Sequence, residues 1–140
     1  MSRVRSVSRP ALLAASLLLG ASLPALFAPA HALSLTEKTA LQVAMQQHVD
    51  RQTVEGSYLF FDRETQSVSS LAPVAAHPMI LTMGEHYILC FDFLDAAGEK
   101  VELDYYLARK GESFVVFHEA IAQRDVVRAM MQAGKVKPAE

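Results

Sequence analysis

Four groups of residues combine side-chain type with useful spacing. His77-x-Met79, Met83 and His86 place two imidazoles and two thioethers within ten residues. Soft thioethers with imidazole suit Cu(I), as in exported copper carriers. The competing expectation is that Met79, beside Ile80 and Leu81, belongs to the core. An extended 80–87 would also send Met83 and His86 to opposite faces.

Cys90 is the only cysteine. A thiol nucleophile needs a histidine within hydrogen-bond reach. His86 shares its strand face but stands about 13 Å away at strand rise. Asp104 is expected across from Cys90, and a carboxylate there raises the thiol pKa. Cys90 therefore reads as a half-buried structural residue. Its alternative use is an intermolecular disulfide in an oxidising compartment.

Asp92, Glu102 and Asp104 cluster beside Tyr106. Such a set can hold a raised-pKa acid or a cation, or simply form a solvated strand face. Tyr105 and His118 are expected on the concave apolar face. They would serve a small enzyme or ligand pocket, although Tyr–His without a carboxylate is thin support for acid–base work.

Other chemistries lack their motifs. The six glycines form no G-x-G-x-x-G and no G-K-[ST]. There is no G-x-S-x-G and no H-E-x-x-H. One cysteine cannot form a disulfide scaffold or a four-thiolate zinc site.

The elements that position these residues can be read in order. Arg3, Arg5 and Arg9, an apolar run over Ala11–Leu23, and Ala30-His31-Ala32 have the parts of a cleavable secretory signal. Cleavage is expected near Ala32, giving a periplasmic or secreted protein. The apolar run is shorter than the roughly 20 residues of a span, so no membrane span is expected after cleavage. The segment carries three of the 13 basic residues and none of the 15 acidic ones. The remainder is acidic and has no field to attract nucleic acid.

The expected domain covers 33–134, with a flexible tail at 135–140. Ser34 and Glu37 have the spacing of a capping box. Leu41, Ala44, Met45, His48 and Val49 then predict an amphipathic helix over about 35–52. His48 falls on its apolar stripe, as a boundary or hydrogen-bonded core residue. A strand is predicted at 57–62 and another at 67–75, with Pro73 and Pro78 marking that stretch as an edge or irregular. A three-stranded meander follows, with strands at 86–94, 100–108 and 113–119. A short helix over 124–133 ends at Gly134.

Parity assigns the sheet faces. Tyr87, Leu89, Phe91, Phe93, Val101, Leu103, Tyr105, Leu107, Phe114, Val116 and His118 are expected to face the first helix. The other face mixes charged and exposed apolar groups, including Ile88, Cys90, Asp92, Asp104, Tyr106, Phe117 and Glu119.

The fold class is thus α+β: an N-terminal helix on a curved antiparallel sheet of four to five strands, with a short C-terminal helix. This element order resembles the cystatin-like and NTF2-like α+β rolls, although the Q-x-V-x-G loop of cystatins is absent. The resemblance implies a fold that hosts binding modules, inhibitors, dimerisation domains and small enzymes, and so selects no function.

The leading expectation is a non-enzymatic binding or interaction module without a cofactor. Its surface would be the face bearing Ile88, Cys90, Asp92, Asp104, Tyr106 and Phe117, and its partner a protein, a small ligand or a second copy of the chain. The alternatives are a cavity-bearing enzyme or ligand binder using Tyr105 and His118, and a copper carrier using His77, Met79, Met83 and His86.

Overall fold

Ser34 starts the first helix as its spacing predicts. In the computed structural model, which describes residues 32–121 and 123–139, helix α1 runs Leu35–Gln52. The Ser34 hydroxyl accepts from the Glu37 amide, and the Glu37 carboxylate accepts from the Ser34 amide, so both halves of the capping box form. Leu41, Met45 and Val49 are its buried stripe. The expected signal segment lies outside the described residues, apart from Ala32.

Seven strands follow, where four to five were expected. They are β1 (Thr53–Val54), β2 (Ser57–Asp62), β3 (Ser67–Met83), β4 (His86–Leu94), β5 (Lys100–Lys110), β6 (Ser113–Ile121) and β7 (Lys137–Pro138), with α2 (Arg124–Gln132) before β7. The sheet is antiparallel in the order β1-β2-β3-β4-β5-β6, and β7 pairs with β3.

The two added strands are only two residues long, too short for an alternating pattern to reveal. The proline stretch of β3 is both irregular and one-sided, as expected, although the strand runs on to Met83. β2 pairs only with residues 67–71, so Pro73 and Pro78 lie where β3 is paired with β4 alone, and register shifts fall between Pro73/Ala75 and between Ala76/Ile80.

The β4–β5 register matches the expected one, with Phe93 opposite Val101 and Cys90 opposite Asp104. Gly98 supplies the left-handed φ of +82° in the connecting loop, and Gly111 one of +62° in the next turn. There an added Cβ would meet open space, so the need is conformational.

Two layers of core result. Under α1 lie Tyr58, Phe60, Leu71, Leu89, Phe91, Phe93, Leu103, Tyr105 and Leu107. On the opposite face Ile88, Tyr106 and Ala120 pack with Val127 of α2 and with Val136.

That second layer corrects the expected exposed face. Ile88, Cys90, Asp104 and Tyr106 are buried, because α2 folds back over them. Asp92 is mostly covered, and Phe117 remains exposed. Residues 135–139 are likewise not a loose tail. Val136 is buried, β7 adds to β3, and the Ala139 amide donates to the Ile80 carbonyl at 2.8 Å.

A bulge makes the other correction. Val116 pairs with Leu107, but His118 pairs with Tyr106, leaving Phe117 as the extra residue in β6. One extra residue exchanges the faces of everything after it. His118 therefore leaves the α1 face, and Glu119 and Ile121 enter it.

Candidate functional site

The bulge brings a carboxylate under the helix. Glu119 Oε2 lies 3.0 Å from His48 Nε2 and accepts from the Tyr58 hydroxyl at 2.5 Å and the Gln52 amide at 3.4 Å. The Gln52 amide end is also 2.6 Å from the same His48 nitrogen. His48 and Gln52 are four residues apart on α1, so the helix presents both to one point. Tyr58 comes from β2, next to the far end of the sheet path. The sheet thus curls until β2 and β6 meet beneath α1.

The aromatic rings around this point are ordered. His48 packs edge-on to Tyr105 with centroids 5.6 Å apart, and Tyr58 stands at 89° to Tyr105. The Tyr105 hydroxyl is buried and has no hydrogen-bond partner among the described residues.

Charge follows from this packing. Burial by itself would raise the Glu119 carboxyl, but donation by His48, Tyr58 and Gln52 outweighs it and holds the group below its ordinary value. Burial drives the Tyr58 and Tyr105 hydroxyls well above theirs, the nearby Glu119 carboxylate adding to it. Both tyrosines stay neutral at any physiological pH.

Beside this cluster a cleft of about 880 Å³ opens. One wall is His48, Gln52 and Glu119, with Val116, Phe117 and His118 of β6. The other is Phe60, Phe61 and Asp62 of β2, with Arg63 and Glu64 of the following turn. The Glu119 carboxylate has one oxygen held by its donors, while its side chain keeps 24% exposure at the cleft. The arrangement can accept hydrogen bonds from a ligand or hold its positive charge. It offers no exposed tyrosine for proton transfer, since Tyr58 and Tyr105 are 0% exposed.

The sequence-predicted residues distribute as follows. Tyr105 supports the cluster from beneath, and His118 lines the cleft from outside the α1 face. The two are therefore not a pair on one surface. Phe117 also lines the cleft and contacts the ring of His86 at 5.5 Å.

The four proposed copper ligands do not converge. Met83 and His86 oppose each other across a tight turn, whereas His77 pairs with Asp92 at 2.9 Å. Asp92 is six residues from His86 along β4, about 20 Å at strand rise. Met79 points largely to solvent.

Asp92, Glu102, Asp104 and Cys90 do gather, under α2. Ligand atoms of His77, Asp92 and Glu102, and of Cys90, Glu102 and Asp104, lie within 4.8 Å of one another. Cations of the chain already serve the carboxylates: Lys100 reaches Asp92 at 2.7 Å, and Arg124 pairs with Glu102. The Cys90 thiol donates to Asp104 Oδ1 at 2.8 Å. Burial and that carboxylate push the thiol up, as sequence reasoning expected.

Sequence reasoning missed Glu119, Gln52 and Tyr58. The 48/52 spacing on one helix face was a usable signal. The bulge that aims Glu119 inward leaves no mark in the alternation of Val115, Val116 and Phe117.

No family model, no curated protein and no solved structure matches this chain. Among the described residues, no helix is long and apolar enough to cross a membrane.

Proposed function

We propose that this chain is a small exported binding protein whose ligand seat is the cleft between β2 and β6. The observation that carries the reading is the Glu119 carboxylate, held by His48, Tyr58 and Gln52 and presented to the wall of that cleft. Its three donors keep this partly buried group ionised, so it carries a negative charge at the cleft. The cleft volume lies in the range of small-molecule sites, and its lining mixes charged and polar side chains with apolar ones.

Export is supported by the basic n-region, the apolar run and the Ala30-His31-Ala32 sequence. Binding is favoured over catalysis because the buried tyrosines cannot reach a ligand, and the accessible titratable groups at the cleft are carboxylates and imidazoles already engaged or at its rim.

Native mass spectrometry of protein purified from a periplasm, with a fragment screen read by amide chemical shifts, tests the proposal. The expected result is loss of the leader in the purified chain and shifts confined to the lining of the cleft. Retention of the leader would overturn export. Fragments that shift only residues elsewhere would overturn the cleft as the seat.

A further inference from the structure

We propose that the cleft is a slot for an extended peptide strand, an inference that rests on the cleft being the ligand seat. Its lining takes consecutive residues from each strand, 60–62 of β2 and 116–121 of β6. Consecutive residues of a strand point to opposite faces. Phe60, Val116 and Glu119 lie on the α1 side. Phe61 alternates to the other side, where Phe117 packs on His86 and Tyr106. A cleft walled by both faces of two strands is a gap between their edges and not a hollow in one face.

Both edges are free among the described residues. β1 pairs with β2 only at Ser57 and Tyr58, so residues 59–62 are bonded to β3 alone. β6 ends the sheet path and is bonded to β5 alone. Among the same residues no backbone bond joins β2 to β6, and Tyr58 and Glu119 meet across the gap by their side chains. Alternate N–H and C=O groups along each edge therefore lack a strand partner. Natural edges are commonly blunted by lysine or proline, and neither β2 nor β6 contains one.

The chemistry that satisfies such edges is another backbone. Every neighbouring pair from β2 to β6 is antiparallel, so β2 and β6 run in the same direction. One strand laid between them can be antiparallel to both, and it closes the curl main chain to main chain. Its side chains would alternate between the α1 side, where Glu119 stands, and the outer side, flanked by Phe61 and Phe117. Asp62, Glu64 and Glu119 outnumber Arg63 along the slot. The partner is therefore a basic polypeptide segment with an apolar residue at every second position.

The test titrates the chain with a blocked seven-residue peptide of alternating lysine and valine, read by amide chemical shifts and hydrogen exchange. Binding is expected to protect amides in 59–62 and 116–121. Two analogues, N-methylated at the lysines or at the valines, keep the side chains but each remove the donors toward one edge. Both should bind at least about tenfold more weakly than the parent. The same peptide with glutamate in place of lysine should also bind more weakly. Equal affinity of parent and methylated peptides overturns strand pairing, and weakening by only one analogue overturns the two-edged slot. Equal affinity of the lysine and glutamate peptides overturns the basic preference. A dimer with the same amides protected in the absence of peptide would assign the edges to a second copy and overturn the proposal. Failure of every peptide overturns it too, and cleft shifts in the fragment screen then show that the ligand seat still stands.

Discussion

Tyr58 and Glu119 are 61 positions apart, yet the tyrosine hydroxyl donates to the carboxylate at 2.5 Å. They belong to β2 and β6, near opposite ends of the sheet path. Their contact closes the curl of the sheet, and α1 adds His48 and Gln52 to the same oxygen. The hydrogen bond is thus both a fastening for the sheet and the floor of the cleft.

Acid should loosen that fastening. The Glu119 pKa is depressed in the folded chain, so its stabilisation is complete above the unfolded carboxylate value near 4.5. It is lost as pH falls through the lower folded value. Urea midpoints measured from pH 7 down to pH 3 should fall for the natural chain. For Glu119→Gln the curve should start lower at pH 7 and converge with it in acid. A gap that widens on acidification would contradict this assignment.

Asp104 should behave with the opposite sign. It is 1% exposed, and burial raises its pKa despite the Cys90 thiol and Arg124. A raised carboxyl favours the fold when protonated, below about pH 3.8, and the benefit is lost as pH rises through the folded value. Asp104→Asn should therefore be more stable than the natural chain at pH 7, with the difference vanishing in acid. Chemical denaturation at two pH values checks this.

Cys90 should be inert in the native state. It is 5% exposed, and burial together with Asp104 holds the thiol protonated, so the reactive thiolate is scarce. A chromogenic disulfide reagent should label it only in denaturant. Native labelling at the rate of a free thiol, or a Cys90-linked dimer on non-reducing gels, would show that α2 opens readily.

The two apolar groups Phe117 and Val127 should separate function from folding. Val127 anchors α2 on Ile88 and Tyr106, so Val127→Ala should cost about 1–3 kcal/mol. Phe117 is exposed at the bulge, so Phe117→Asp should change stability by no more than about 1 kcal/mol. Denaturation midpoints test both. Unfolding by the Phe117 change would place that ring in the core.

Local signals were legible in the linear chain. The Ser34–Glu37 box and the stripe Leu41, Met45, Val49 determined α1, because a helix satisfies its bonds within one segment. Alternation determined β4 and β5 and their register, because each pair is joined by a short glycine loop. The Cys90–Asp104 pairing followed from that register.

The site was decided by tertiary structure. One extra residue at Phe117 moved His118 out and Glu119 in, and nothing in a run of apolar residues marks where a strand will bulge. Closure of the sheet joined Tyr58 to Glu119 across the chain, and the return of α2 and β7 buried a face whose own alternation reads as mixed and wet. Periodicity records which residues share a face. What covers that face depends on elements distant in sequence, whose docking is settled only by the apolar area that remains to be buried once all of them have formed.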